Sequence, residues 1–340
     1  MSPAAASEFD LLVVGDANPD VVLSGAPRGL AYGQREELVA GGALVLGGSG
    51  AITACGAARL GLRTAFAGLV GDDEAGGFVL RSLSERGVDV SLCAVGEWPT
   101  ALTVVLVNGE DRAILTAPGS LPHMTVDGLP ADLARHVHAS SYFLQPALAE
   151  GLPAFFERVR RAGATTSLDT NDDPEGRWLG LDGVLAVTDV LLPNAAEALA
   201  LAAAGARGPG DLASGVPVPG VRAPGDPEAG RLERAGPEAD RLERAVEALA
   251  GRGPLPVVKN GAAGTLSWAD GGLVRVAAPP ADPVDTVGAG DSFNAGFLAA
   301  RLRGLTLRES MRVAAACGSL STRAAGGTAA QPGWDEVHSL

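Results

Sequence analysis

Aromatic side chains, lysine and cysteine are all scarce in this 340-residue sequence, and each shortage narrows what the chain can be. With aromatics at 4% against 46% hydrophobic residues, the core has to be built from aliphatic side chains, which suits a parallel sheet covered by alanine-rich helices. Lysine occurs once, at Lys259, among 26 basic residues. So strong a preference for arginine reads as coding bias, and no chemistry is taken from the arginines as a group. Cys55, Cys93 and Cys317 are odd in number, far apart and without a CxxC pair. That argues against a disulfide framework or a zinc site and for a reduced, cytoplasmic protein. No apolar run reaches the roughly 18 residues of a membrane span. The opening "MSPAAASEFDLLVVGD" has no basic segment ahead of its short apolar run, so no signal peptide is expected. A net charge of -14 disfavours nucleic acid or an anionic membrane as partner, because neither attracts a surface of its own sign. The expected ligand is a small molecule.

What is present is an alternation of apolar runs and helical patterns. "DLLVVGD" stops at Gly15 and Asp16 as a buried strand does, and "GAITACGAARLG" follows as a helix with Gly61 in the place of a left-handed cap. "TAFAGLVGDD" reads as a strand, and "DDEAGGFVLRSLSERG" as a helix with acidic residues in its first turn. The pattern continues in "ASSYFLQP" with "FFERVRRAG", in "ATTSLDTN", and in "DVLLPN" with "AAEALALAAAG". Such alternation implies an α/β fold: a mainly parallel sheet flanked by helices on both faces, with ligands beyond the carboxyl ends of the strands. Two segments depart from it. "TALTVVLVNGEDRAILTA" is a hairpin turning at Asn108-Gly109, and Val21 to Leu46 holds short apolar runs between glycines. Together they predict a small β-sheet lid, from about 18–46 and 97–118. Residues 205–240, rich in Pro and Gly, read as a mobile surface insertion; "RLERA" at Arg231 and Arg241 reads as a local duplication.

The chemistry centres on "DTVGAGDSFNAGF", Asp285 to Phe297. A helix that opens on glycines gives up about 1 kcal/mol each relative to alanine. A Walker loop would need GK[ST], and a dinucleotide fingerprint would need a third glycine where Phe293 stands. A loop glycine pair followed by an ordinary Asp N-cap also accounts for the motif taken alone.

The stretch resembles the C-terminal signature of the ribokinase-like (PfkB) carbohydrate kinase family. "LGGSGAITACGAARLG" is similar to that family's N-terminal signature, and "VGDDEAG", "SLDTN", "LLPNAAEA" and "VVKNGAAG" match in the same order. The resemblance implies one ribokinase-like α/β domain over 8–340 and an ATP-dependent, Mg2+-requiring sugar kinase. Gly288, Ala289 and Gly290 then offer backbone N–H groups at a helix start, where anions are favoured, and side chains there would obstruct a phosphate. Asp291 beside them is the implied catalytic base. Asn194 and Glu197, at i and i+3 on one helix face, are implied to organise Mg2+ and its waters, although a plain capping arrangement fits the same spacing. Lys259, Gly261 and Gly264 resemble a nucleotide-side turn, which an ordinary β-turn also explains for the glycines. Small residues from Ala314 to Gly327 fall where the family borders adenine; helix packing explains them equally well. Asp285 and Thr286 fall at a monovalent-cation position, implying K+.

On the substrate side, Asp20 matches a position that binds sugar hydroxyls, with Asn18 beside it, and Gly47 and Gly48 would let a sugar lie against backbone. Ile52 stands where the signature carries asparagine, so ribose itself is not implied. Thr103, Arg112 and Thr116 of the hairpin could face the pocket, or Arg112 could be solvated. Asp169 and Asn171 end a strand at the cleft, Asn171 being assigned to the nucleotide. His136 and His138 share a strand face without carboxylate or thiol neighbours in sequence, which argues against a metal site. The expected reaction is phosphorylation of a primary hydroxyl of a small sugar or sugar acid, with a homodimer through the lid. The alternatives are a nucleoside kinase, for which only Tyr32 and Trp98 offer aromatic surface near the lid, and a non-catalytic sugar sensor.

Overall fold

The computed structural model describes residues 7–30, 32–109, 111–206 and 237–338. Its strands are β1 Phe9–Val14, β2 Asn18–Ser24, β3 Gly41–Gly47, β4 Thr64–Ala67, β5 Leu69–Gly71, β6 Val88–Asp89, β7 Ala94–Gly96, β8 Leu102–Asn108, β9 Asp111–Ala117, β10 Ala134–Ser140, β11 Thr165–Asp169, β12 Val190–Leu191, β13 Leu255–Lys259, β14 Thr265–Ala269 and β15 Gly272–Val276. Its helices are α1 Ser49–Arg59, α2 Glu74–Glu85, α3 Pro146–Arg161, α4 Asp182–Leu185, α5 Ala195–Gly205, α6 Pro237–Ala250, α7 Ala289–Leu302, α8 Leu307–Ser321 and α9 Trp334–His338.

The main sheet runs β15-β14-β13-β12-β11-β10-β1-β4-β6, parallel from β6 to β13 and closed by the antiparallel pairs β13–β14 and β14–β15. Side chains alternate across it with period two. Leu12 and Val14 of β1 join the core that holds Phe155 and Phe156 of α3, while Leu11 and Val13 join the core on the side of α1, α7 and α8. The aliphatic composition is thus used in two layers of packing, one on each sheet face. Small residues let α7 and α8 approach closely: a Cβ on Gly296 would come within 2.6 Å of Cys317 Sγ. Packing of this kind is the structural role of Ala314, Cys317 and Gly318.

A separate four-stranded sheet, β3-β2-β8-β9, holds the segments expected to form the lid. Strand β2 begins four residues after β1 ends, so the small sheet rises directly from the carboxyl edge of the large one.

Three details differ from the sequence reading. "TAFAGLVGDD" is not one strand. It divides at Gly68, where a Cβ would lie 2.6 Å from the Phe66 ring, and β5 leaves the main sheet to pair with β7. The strand placed at "ASSYFLQP" lies earlier, over Ala134–Ser140, because Ser141 adopts a left-handed conformation (φ 54) that ends it, and Tyr142–Leu144 form a 3-10 turn. Of the expected insertion over 205–240, residues 207–236, including the first "RLERA", lie outside the described residues. Its ends are ordered: Gly205 closes α5, and residues 237–240 already form the first turn of α6, which opens on a proline as helices tolerate well.

Candidate active site

Five parallel strands deliver their carboxyl ends to one region. After β1 comes Asp16, after β10 Ser141, at the end of β11 Asp169, after β12 Asn194, and at the end of β13 Lys259. Helix α7 points its N-terminus at the same place.

Gly288 is the N-cap of α7 with φ 72, and a Cβ there would sit 2.6 Å from Gly327 Cα and 3.1 Å from Ile52 Cγ2. Ile52, the departure from the family's asparagine, is buried beneath this turn and packs against Gly288 and Gly327. Ala289 donates its N–H to the Thr286 carbonyl at 3.3 Å, so the first-turn donors that remain belong to Gly290 and Asp291. Of the three residues expected to offer N–H groups to an anion, Ala289 thus has its own engaged within the chain. Beside it lies Lys259, its Nζ 3.6 Å from where a Gly290 Cβ would stand.

Lys259 Nζ donates to Asp169 Oδ2 at 2.5 Å and approaches Asn294 Oδ1 at 3.3 Å, and Asn294 Nδ2 donates to the same Asp169 oxygen at 2.6 Å. Burial works against the ammonium, but the charges of Asp169 and Glu197 outweigh it and the Lys259 pKa is raised, so the group stays charged. Gly261 and Gly264 form a short 3-10 turn with positive φ, and a Cβ on Gly264 would strike the Val276 carbonyl at 2.1 Å. The turn itself therefore accounts for both glycines.

The Asp291 carboxylate accepts a hydrogen bond from Ser49 Oγ at 2.5 Å. Removal from bulk water pushes its pKa up to about 7, against the Ser49 bond; Asp169 and Asp16 reinforce the rise and Lys259 opposes it. A carboxylate so tuned can hold or release a proton near neutral pH.

Asn194 and Glu197 form a complete capping box on α5: Glu197 N–H donates to Asn194 Oδ1, and the Glu197 carboxylate accepts from Asn194 N at 2.8 Å and Nδ2 at 2.6 Å. Each carboxylate oxygen holds one of these bonds, and lone pairs remain for a metal-bound water. Burial raises the Glu197 pKa and the nearby charges of Asp169 and Asp172 add to it, with Lys259 opposing. A divalent cation would relieve that repulsion, so the donor set suits Mg2+ held largely through water. Among the described residues no three His, Cys, Asp or Glu side chains cluster to ligate a metal directly.

On the substrate side, Asn18 Nδ2 donates to Asp20 Oδ1 at 2.7 Å and to Thr103 Oγ1 at 3.1 Å, and Thr103 pairs with Thr116 at 3.1 Å. Burial pushes the Asp20 pKa up to about 6, with Asn18 opposing and Asp16 adding to the rise. Gly47 and Gly48 have packing reasons of their own. A Cβ on Gly47 would enter the Asp20 carboxylate, and one on Gly48 (φ 90) would lie 2.7 Å from Ala17 Cα. Arg112 reaches from β9 to within 4.0 Å of Asp285 Oδ1, while the Asp285 carboxylate accepts from Val287 N and Gly326 N, each at 2.9 Å. Asn171, expected on the nucleotide, spends its amide on Ser141 and Ser49 instead. His136 and His138 are bonded to Thr165 and Ser167, and burial lowers their pKa values to about 3 and about 4, with the charges of Asp169 and Lys259 also acting on His138.

Three residues of this cluster went unassigned in the sequence: Asn294, which bonds both Lys259 and Asp169, Asp16 and Ser49. Asp16 accepts from Ser49 N and Gly50 N at 2.9 Å each and from Ser140 Oγ at 3.1 Å, capping α1. Ser49 reaches Asp291. Asp16 and Ser49 lie inside motifs already singled out, "GDANPD" and "LGGSGAIT", and a polar residue at a strand end or helix start was the available signal.

The family model described as pfkB family carbohydrate kinase matches residues 9–334. The fructokinase of Klebsiella pneumoniae is 28% identical over 310 residues, covering 86% of this chain and 90% of that protein. The ribokinase of Arabidopsis thaliana, solved with ribose and ATP, superposes with a TM-score of 0.75 at 25% identity, covering 97% of this chain and 98% of that one. A ribokinase II from E. coli, solved with ATP and Mg2+, has the same fold at a TM-score of 0.76 and 20% identity, over 97% of this chain and 98% of that one. With the match extending across both signatures and every strand of the main sheet, this chain belongs to the pfkB family of carbohydrate kinases.

Proposed function

We propose that the protein transfers the γ-phosphoryl group of ATP to a primary hydroxyl of a small sugar or sugar acid. The observation that carries this reading is the pairing at the start of α7: Asp291, tuned to about 7, beside the Gly288-Ala289-Gly290 turn with the Lys259 ammonium next to it. Phosphoryl transfer asks for positive potential around the migrating group and a positioned nucleophile, and little else. The Gly290 and Asp291 N–H groups and Lys259 supply the first, and Asp20, Asn18 and Thr103 would hold the sugar hydroxyls. Asp291 accepts the proton of the attacking hydroxyl. Mg2+, organised through Glu197 and Asn194, would neutralise phosphate charge when bound. Lys259, Gly261 and Gly264 border the nucleotide side of this cleft. Asp285 and Thr286 are proposed to border a K+ site, with Arg112 as a competing positive charge; turnover in K+ against Na+ tests it.

A nucleoside substrate is less well supported, because one aromatic candidate stands in solvent and the other is already stacked within the chain. Tyr32 is 92% exposed, and Trp98 stacks on His123 with centroids 3.8 Å apart. We further propose that the small sheet closes over the substrate as a lid and pairs with a second copy. Strand β9 is exposed along its whole length, and Leu44, Ile114 and Leu115 are each more than half exposed. Ile114→Glu should yield a folded monomer in sedimentation velocity; an unchanged sedimentation coefficient argues against this interface.

The experiment is ADP release from ATP and Mg2+ across pentoses, hexoses, keto-deoxy acids, sugar phosphates and nucleosides, with Asp291→Asn alongside. Turnover on one sugar class, lowered about 10²–10⁴-fold in the variant, supports the assignment. Sugar binding without turnover anywhere in the panel would move the sensor reading ahead.

A further inference from the structure

We propose that Ser49, itself fixed by Asn171, is a positioning residue that orients the Asp291 carboxylate and holds it in its charged form. The inference rests on the reading of Asp291 as the base and concerns how that base is set.

The direction of each hydrogen bond can be assigned from one that has no choice. Ser141 presents a backbone N–H, which only donates, and it does so to Asn171 Oδ1 at 2.9 Å, with Ser141 Oγ adding a second bond at 3.3 Å. That fixes the amide, so its NH2 end faces Ser49 Oγ, 3.1 Å away. Ser49 Oγ accepts there, and its single proton is directed to Asp291 Oδ1 at 2.5 Å. The chain of bonds engages Asp291 Oδ1 and leaves Oδ2 to accept a proton.

Two further features show that the arrangement is held in place. Ser141 and Asn171 both adopt left-handed backbone, φ 54 and 53, a conformation that non-glycine residues take up at a cost. A serine at the first position of a helix ordinarily bonds to its own backbone. Here Asp16 takes the Ser49 and Gly50 N–H groups instead, which frees the Ser49 hydroxyl for Asp291, 242 residues away in sequence. The other charges facing Asp291 are Asp169 from β11, Lys259 from β13 and Asp16 after β1, and replacing Ser49 leaves all three in place. A hydrogen bond to the ionised form favours it, so its loss moves the Asp291 titration upward.

The test compares wild type with Ser49→Ala, Ser49→Thr and Asn171→Ala, using Asp291→Asn to identify the signal. Two readouts are taken: the pH dependence of kcat and kcat/KM on the sugar that the panel identifies, and the titration of the Asp291 carboxyl by 13C NMR in the protein without substrate. Ser49→Ala should raise the titration and the acid limb by about one pH unit and lower the plateau kcat about 10-fold, with KM for ATP and sugar changed less than about twofold. Asn171→Ala should move the limb the same way by a smaller step, and Ser49→Thr should restore it. An unmoved titration in both Ser49→Ala and Asn171→Ala overturns the inference. So does a Ser49→Ala defect confined to KM. If Asp291→Asn keeps full activity, the base assignment itself fails; if it is inactive while the Ser49 and Asn171 variants titrate as wild type, only the positioning role fails.

Discussion

Replacing Lys259 by methionine separates two jobs that the structure gives to one side chain. Lys259 is the partner of Asp169, whose side chain is fully buried, and its own side chain is only 12% exposed. Methionine keeps the apolar stem and removes the charge, leaving the Asp169 carboxylate with Asn294 Nδ2 and the Asn171 N–H as donors. Breaking a buried pair from one side costs about 3–5 kcal/mol, because the remaining charge is desolvated without compensation. Against a total stability on the order of 5–15 kcal/mol, that is a large fraction. Removing both charges is a different matter, since a neutral pair of similar volume is often tolerated. Lys259→Met with Asp169→Asn should therefore recover most of the loss, with a coupling of about 2–3 kcal/mol between the two sites. Urea unfolding followed by tryptophan fluorescence gives the stabilities, and ADP release gives the activities. The recovered double variant should still be slower by about 10²-fold, because no cation lies beside Gly290 to meet the developing phosphate charge. Additive losses in the double variant would refute the buried-pair argument. A stable double variant with wild-type kcat would refute the electrostatic one.

The raised Asp291 pKa makes a prediction of opposite sign. A carboxyl whose folded pKa is about 7, against an unfolded value near 3.8, binds its proton more tightly when folded, so this group's contribution to stability is fully present below pH 4 and is lost as pH rises through 7. Asp291→Asn should then be more stable than wild type by about 1–3 kcal/mol at pH 8, the gap closing near pH 4; parallel melting profiles across that range would contradict it. Gly288→Ala, which strains a φ of 72 and meets Gly327, should cost about 1–3 kcal/mol by urea unfolding. Gly290→Ala should leave stability within about 1 kcal/mol and reduce kcat/KM for ATP about 10²-fold, and wild-type turnover there would remove Gly290 from the anion hole. Glu197→Gln should raise the Mg2+ concentration needed for half-maximal turnover about 10-fold, and an unchanged Mg2+ dependence would reduce Glu197 to its capping role.

Most of the sheet was legible because buried parallel strands are short apolar runs that stop at glycine or a polar residue, as β1 stops at Gly15. Strand β10 was misplaced for the same reason in reverse. Its inward residues include His136, His138 and Ser140, which bond to Thr165, Ser167 and Asp16 although a composition reading sends such groups to the surface. The Gly288-Ala289-Gly290 turn was legible from local cost, glycines where a helix disfavours them. Ser49 was legible only as a polar residue at a helix start, because the carboxylate it bonds to lies 242 residues away in sequence.

The glycines show how far such reasoning reaches. Gly47, Gly48 and Gly288 were read as room for a ligand and Gly264 as part of a nucleotide-side turn or an ordinary one, yet each has a neighbour that a Cβ would strike: the Asp20 carboxylate, Ala17, Gly327 and the Val276 carbonyl. Backbone neighbours and positive φ require glycine at Gly48, Gly264 and Gly288 whether or not anything binds, while at Gly47 the obstacle is the Asp20 side chain. Gly290 is different. A Cβ there would meet nothing nearer than the Lys259 side chain at 3.6 Å, an ordinary contact, and its backbone is not in the left-handed region. It sits in the first turn of α7, where alanine would be accommodated and would favour the helix. A glycine that neither packing nor conformation demands, beside a buried ammonium and a helix N-terminus, points to a group that the protein itself does not contain, and the chemistry of its surroundings makes that group an anion.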